Sequence, residues 1–405
     1  METDSWKRPL VYGLALALGI RITFSLLHLI VWAFLSAQRM QELVYEAAAS
    51  PELPTLATDA GQVLLGAWRR WDAMHYLNLA VNGYRITDPG ATVFGPGAPL
   101  LFALGNQLVP GPPDLAAAII QVLLLTLVFA LTWQICTSYY GERSLGPYAV
   151  LITALLPTAY VFWAPMSESL FLALTLAFFY ACSRNHYFLG ALLGFLAALT
   201  RSQGVILVLV ALALLYEQRD HALPWKQQVW SAARRGWPVA VIPFGYLLFV
   251  AYRASIGLPP LGEVYANQSY VFFVDPISGI LLTLRWILQN PTSLLTNIDI
   301  IAMVVYAVLI VLMLRSPRHR RPSLLTYIFA TLLVVFSKMN YMYGTDILYY
   351  TQSFARYALV LWPVHIFVAD CVRGFQPRWQ KVTLAAMASL ALIFGTLNFI
   401  RWAPP

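Results

Sequence analysis

Charge is what this sequence has least of: only 11% of its 405 residues are Asp, Glu, Lys or Arg, against the roughly 25% of a soluble globular domain. With 60% hydrophobic residues and a mean hydropathy of +0.66, that scarcity excludes an ordinary soluble enzyme and makes the chain a polytopic membrane protein. Cysteine is almost as rare. Cys136, Cys182 and Cys371 all fall near the ends of apolar runs, which argues against a disulfide framework and for reduced or lipid-facing thiols. The chain has no Walker-type Gly-rich loop, no H-E-x-x-H and no Cys/His metal spacing. "GPGAP" at Gly95 to Pro99 follows no strand and carries no lysine, so it is a poor nucleotide loop. No internal repeat is visible, which weighs against a transporter built from inverted halves.

What is present is a series of apolar runs, each near the length that crosses a bilayer. They lie near 9–35, 114–138, 147–165, 168–184, 187–200, 203–216, 237–256, 294–314, 322–338, 354–373 and 380–400, giving about eleven transmembrane helices. The first is too long for the apolar centre of a signal peptide and lacks a small-residue cleavage site, so it reads as a retained span. A net charge of +8 would suit nucleic acid if it formed one stripe, but the basic residues come in short clusters between apolar runs, and no nucleic acid is expected. With the N-terminus in the cytoplasm, "KRP", "GERSLG", "SRNH", the cluster Arg219 to Arg235, "RSPRHRRP" and "RGFQPRWQK" all fall on the cytoplasmic side, as the positive-inside rule requires.

That orientation places the loop 36–113 outside the cytoplasm, with the segments 257–293 and "SKMNYMYGTDILYYTQSFAR". In the first loop, Ala37 to Ala49 and Val63 to Ala80 have helical composition, separated by Pro/Gly breaks. Ala98 to Val109 is short and Pro/Gly-bounded, which suits an interfacial or re-entrant helix better than a span. Pro276 to Gln289 predicts a further interfacial helix. The chain is treated as one membrane-embedded domain, 1–405.

The stretch "WRRWDAMHYLNLAVNGY", Trp68 to Tyr84, concentrates charge in the first loop. Basic and aromatic residues gain from the bilayer interface, but Asp72 does not. On a helix, Arg69, Asp72, His75 and Tyr76 share a face. An interfacial helix with an Arg–Asp pair and a reaction centre both fit this pattern. Glu168 in "WAPMSESLF" starts a helix behind Ser167, a candidate cap; Arg201 interrupts an apolar hairpin, and Arg356 begins a span. Charged side chains at such depths are functional candidates by default. Asp72, Glu168, Arg201, Glu263 and Arg356 all map to the extracytoplasmic face. A carboxylate with fixed cations suits a reaction in which a hydroxyl loses a proton and a phosphate departs. A lipid-linked activated donor would also explain why the catalyst is embedded.

The same residues resemble a known family. "WRRWDAMHYLNLAVNGY" is similar to the W-D-x-x-[HWY]-[YF]-x-x-I-A-x-x-G-Y signature of the GPI mannosyltransferase II (PIG-V-like) family, and "VFGPGAPLL" keeps the spacing and two prolines of its "FFPLYPLL"-like segment while losing the aromatics. "LLPTAYVFWAPMSESLFLAL" resembles its S-P-x-x-x-F-x-x-x-Y-S-E-S-L-F run, with Met166 where tyrosine is usual. "AALTRSQGVILV" and "ARYALVLWPVHIF" resemble its A-x-x-x-R-x-x-G-L and R-Y-x-L-V-x-F-P segments. The resemblance runs from about Trp68 to Phe367 and implies an all-α GT-C helical bundle. It also implies transfer of mannose, with inversion, from a polyprenyl or dolichyl phosphate to a hydroxyl of a lipid-linked glycan or glycolipid. Carried over by position, Asp72 is the catalytic aspartate and Glu168, Arg201 and Arg356 are the other motif residues.

The resulting assignment has Asp72 as base and Arg201, Arg356 and Arg69 as donor-phosphate ligands, since guanidinium forks match phosphate oxygens. Trp71, His75, Tyr76, Glu168 and Glu263 are expected to contact substrate. No cofactor is required. Asp72 and Glu168 have the chemistry to bridge a divalent ion, but a preformed lipid monophosphate needs none, so no metal is expected. The compact size and short loops incline the reading to a prokaryotic homologue in the plasma membrane; in a eukaryote the compartment would be the endoplasmic reticulum, with "NQS" at Asn267 an external glycosylation acceptor. Two other classes stay open: a lipid or glycolipid transporter, and a non-catalytic lipid-binding subunit.

Overall fold

The apolar runs fold as helices. In the computed structural model, residues 5–35, 53, 54, 56, 59–85, 90–268, 271–340, 350, 351 and 353–400 are described. In chain order the elements are α1 (Lys7–Phe34), α2 (Asp59–Leu64), α3 (Asp72–Asn82), α4 (Gly97–Leu108), α5 (Pro113–Ser138), α6 (Leu145–Ala154), α7 (Glu168–Ser183), α8 (Tyr187–Thr200), α9 (Leu207–Glu217), α10 (Trp225–Gly236), α11 (Ile242–Ser255), α12 (Leu261–Gln268), β1 (Val271–Phe273), α13 (Pro276–Gln289), α14 (Ser293–Thr296), α15 (Ile298–Leu314), α16 (Pro322–Phe336), β2 (Lys338–Asn340), α17 (Phe354–Tyr357), α18 (Trp362–Arg373) and α19 (Pro377–Phe399). This is a helical, multi-pass membrane architecture.

Each of the eleven predicted runs falls on an apolar helical segment, but their lengths differ from expectation. Among the described residues, α1, α5, the continuous stretch Trp225–Ser255 and α19 are long and apolar enough to cross a bilayer, and Phe354–Val360 with Trp362–Arg373 forms a fifth candidate bent by 77°. The other six segments have 10–17 residues, short of the about 20 needed for a straight crossing. The predicted span 147–165 shows why. Its helix stops at Ala154, before Pro157, and the rest is a buried 3-10 turn, Ala159–Trp163, because a proline ring cannot continue the preceding helical ladder.

Two helices expected from composition are confirmed in place. Pro276–Gln289 is α13, capped by the Asp275 carboxylate, which accepts the Ser278 N–H at 2.9 Å; Gly97–Leu108 is a 12-residue helix too short to span. The predicted helix Val63 to Ala80 is corrected: it breaks into α2, a 3-10 turn Gly66–Trp68 and α3. Ala37 to Ala49 lies outside the described residues. Among the described residues the all-helical expectation has one small exception, an antiparallel ribbon pairing Val271 with Asn340, Phe272 with Met339 and Phe273 with Lys338.

The chain divides into two compact units, each discontinuous in sequence: Met1–Tyr84, Pro96–Leu176 and Val368–Pro405 in the first, Arg85–Gly95 and Ala177–Phe367 in the second. In the first unit α1 packs along α5, where a Cβ at Gly13 would come within 2.9 Å of the Thr126 carbonyl oxygen. Small residues at such crossings let helix backbones approach where water gives no drive to associate. In the second unit α8 packs on α11 by the same means: Gly245 faces the Phe195 carbonyl, and Gly194 faces Ile242. The most buried side chains include Trp163, Phe102 and Phe129 in the first unit, and Trp362, Tyr327 and Phe178 in the second.

Candidate functional site

Within the first unit the residues before Asp72 are tied down one by one. Arg69 forks onto Asp114, Nε to Oδ1 at 2.5 Å and Nη2 to Oδ2 at 2.6 Å, and Nη2 also donates to the Pro54 carbonyl at 2.9 Å. Both partners are buried, with side chains 2% and 3% exposed. Arg70 Nη2 donates to the Phe399 carbonyl at 3.4 Å, and the Trp71 indole donates to Asn398 Oδ1 at 3.1 Å. Arg69 therefore directs its fork to Asp114, at the foot of α5, where sequence reasoning placed it on a helix face shared with Asp72. It sits ahead of α3, in the break, and this removes it from the helix row that i, i+3 spacing suggested.

Trp71 has φ 51° and ψ −132°, a left-handed conformation that an L side chain adopts at a cost of about 1–3 kcal/mol. The Ala73 N–H donates to the Arg70 carbonyl at 3.0 Å, so Arg70 to Ala73 form a tight turn with Trp71 where glycine is normally needed. The contacts of Arg69, Arg70 and Trp71 hold that turn. It delivers Asp72 as the first residue of α3, where the exposed N–H groups and the helix dipole favour a carboxylate.

Four residues into α3, Tyr76 is buried, and its hydroxyl and that of Ser167 meet at 2.7 Å. This contact brings the face of α3 that carries Asp72 to the start of α7. Glu168 is the first residue of α7 and is 1% exposed. The segment before it is held by Gln121 Nε2, which donates to the Ala164 and Met166 carbonyls, and by Ser169 Oγ, which donates to the Phe162 carbonyl at 2.7 Å. His75 is half-buried on α3, and Trp71 keeps 40% of its surface exposed beside Asp72.

Sequence reasoning missed several contributors here. Arg21, inside the first apolar run, donates to the Trp163 and Leu64 carbonyls at 3.0 and 3.3 Å, with its guanidinium 4.4 Å from the Trp68 ring centroid. His28 stacks on Phe399 at 4.4 Å. Asp114 was hidden as one acid at the head of an apolar span, where it reads as an ordinary first-turn residue. A lone arginine in mid-run at Arg21 was the one available signal, since such charge in a span calls for partners.

The second unit holds Arg201, Glu263 and Arg356. Arg201 follows α8 in extended conformation, its Nε donates to Gln203 Oε1 at 3.3 Å, and its guanidinium lies 5.6 Å from the Tyr357 ring centroid. Arg356, 7% exposed, sits on the single turn α17. That turn begins behind Ser353 at φ 59° and is fixed from outside by Asp299, whose carboxylate accepts the Ser353 and Ala355 N–H groups at 2.8 and 2.9 Å. Glu263 is exposed on α12. Among the described residues no three His, Cys, Asp or Glu side chains are grouped to hold a metal.

Comparisons with known proteins agree with the resemblance drawn from the motifs. Over 234 residues the chain is 31% identical to the GPI alpha-1,6-mannosyltransferase 2 of Mus musculus, covering 51% of the chain and 46% of that protein. It is also 31% identical over 154 residues to the protein of the same name from Cricetulus griseus, covering 36% and 31% of the two chains. The chain thus spans less than half the length of the curated relatives it matches. No family model matches it. Among solved structures, ArnT from Cupriavidus metallidurans bound to undecaprenyl phosphate aligns with a TM-score of 0.49 at 13% identity, covering 93% of this chain and 64% of that one.

Proposed function

We propose that this protein is a membrane glycosyltransferase that moves mannose, with inversion, from a polyprenyl-phosphate carrier to a hydroxyl of a glycolipid or lipid-linked glycan on the extracytoplasmic side. The observation that carries the reading is Asp72 itself: a carboxylate set at a helix start behind a strained, triply anchored turn, inside the motif that resembles the mannosyltransferase signature. Strain maintained by such anchors is characteristic of functional sites.

In this mechanism the acceptor O–H gives its proton to the Asp72 carboxylate as its oxygen attacks mannose C1. The C1–O bond to phosphate breaks on the opposite face, and its electron pair leaves with the polyprenyl phosphate. One base suffices for a single displacement, and the leaving phosphate needs its charge held more than it needs a proton. Arg201 and Arg356 take that role, since both remain charged and offer planar forks. Arg69, whose Nε and Nη2 are committed to Asp114, is reassigned from phosphate binding to holding the turn. Trp71, Tyr76, His75, Glu168 and Glu263 remain the substrate-contact set, and Trp71, 40% exposed, is its most open aromatic side chain.

The test is an incubation of purified protein with labelled polyprenyl-phosphate mannose and membrane glycolipids. A new labelled glycolipid with release of polyprenyl phosphate is expected. Donor that stays intact, with or without movement across the bilayer of a reconstituted vesicle, would replace the enzyme reading with a transporter or a lipid-binding subunit.

A further inference from the structure

Two cations of the second unit converge on one phenol ring. Arg201 Cζ lies 5.6 Å from the Tyr357 ring centroid and Lys338 Nζ lies 5.8 Å from it, and the same ammonium is 5.8 Å from the Tyr265 ring. A ring face returns only about 0.5–2 kcal/mol per cation. The placement of Lys338 is not left to a floppy side chain alone: it is the first residue of β2 and is paired with Phe273 across the ribbon. No ion pair to Lys338 occurs among the described residues.

A second feature adjoins Arg201. Because Arg201 Nε donates to Gln203 Oε1, the amide orientation is set, and Nε2 is the end that points elsewhere. Gln203 is 2% exposed, and its Nε2 has no hydrogen-bond partner among the described residues. A buried donor left unsatisfied costs roughly 1–3 kcal/mol and calls for an explanation. The missing partner must be an acceptor, and next to the Arg201 guanidinium an anion is the acceptor that also suits the cation.

We infer that Arg201, Lys338 and Gln203 Nε2 form a phosphate-binding site beside Tyr357, with Lys338 and Gln203 as ligands that the sequence motifs do not include. The site rests on the glycosyl-transfer reading only for the identity of the phosphate carrier. Phosphate oxygens would accept from the guanidinium, the ammonium and the amide together, and charge-assisted contacts of this kind are the strong ones.

The experiment uses the full chain in detergent with three probes: farnesyl phosphate, farnesol and inorganic phosphate. Lys338→Gln and Gln203→Leu are each expected to bind farnesyl phosphate about tenfold more weakly, the loss of one contact to a charged group. Lys338→Arg should restore binding, and farnesol binding, which reports an intact fold, should not move. Inorganic phosphate binding much more weakly than farnesyl phosphate, but with the same variant dependence, assigns the site to a lipid-borne phosphate. Equal affinity for the two keeps the site and assigns it to free phosphate. Farnesyl phosphate binding at wild-type strength in both Lys338→Gln and Gln203→Leu overturns the inference, even if the wild-type protein transfers sugar. Loss of binding in the variants alongside a wild-type protein that transfers nothing leaves the site standing and removes the glycosyl-transfer reading.

Discussion

Arg69, Arg70 and Trp71 each tie the chain to a different partner, so the backbone that leads into Asp72 has little freedom left. If Asp72 is the base, Asp72→Asn keeps the shape, exchanges one acceptor oxygen for an amide donor and cannot take a proton, and transfer should fall roughly 10²–10⁴-fold. Donor binding and thermal unfolding should stay at wild-type values; wild-type transfer by the folded variant would remove Asp72 from the mechanism. Asp114 makes a different prediction. Its removal strands the buried Arg69 cation, and breaking one side of such a pair costs about 3–5 kcal/mol. Asp114→Ala should therefore lower the unfolding temperature markedly, whereas Arg69→Met combined with Asp114→Leu should recover most of it, because an apolar replacement leaves no uncompensated charge. If the double variant is as unstable as the single one, the loss comes from the missing pair itself and not from a stranded charge.

At the scale of elements, what was legible in the sequence was what local pattern controls. The positions of the apolar helices follow from hydropathy, and α13 follows from Asp275–Pro276, a cap with proline at the first helical position. The break at Arg69 to Trp71 was not legible, because its causes are distant: Asp114 is 45 residues away and Asn398 is 327 from Trp71. Local composition over Val63 to Ala80 is helical throughout, and tertiary anchors override it. The ribbon of β1 and β2 was invisible because three residues per strand are too few to show alternation. Hence Lys338 could not be singled out, although Arg201 in the paired site could. The cap on α13 also carries a pH signature. Hydrogen bonds from Ser278 hold the Asp275 carboxyl below its ordinary value of 3.8. A depressed folded pKa means that its contribution is complete above the unfolded value and is lost as pH falls through the lower, folded one. Hydrogen exchange at the first turn of α13 should accordingly accelerate below about pH 4 beyond the intrinsic trend, and Asp275→Asn, which still caps, should abolish that acceleration.

At the scale of the whole molecule, the orientation rests on charge placement alone, and it decides which solution the candidate residues face. Positive clusters stay cytoplasmic because Lys and Arg resist translocation, and on that basis "RSPRHRRP" and Glu263 should lie on opposite sides. Native thiols make this testable: Cys136 and Cys182 are buried and only Cys371 is exposed, so Cys371→Ser gives a quiet background. In it, Glu263→Cys and Arg320→Cys place single thiols at exposed positions of α12 and of the basic loop between α15 and α16. A membrane-impermeant maleimide added to intact cells should label Glu263→Cys, and should reach Arg320→Cys only after permeabilisation. The reverse pattern would invert the orientation and move the sugar acceptor to the cytoplasm. Labelling of both from outside would mean that the chain crosses the membrane an even number of times between α12 and the basic loop, and not the single time that α15 alone provides. A membrane-embedded, lipid-linked donor can be presented on either face, whereas nucleotide sugars are cytoplasmic, so the labelling result bears on the proposed donor as directly as on the topology.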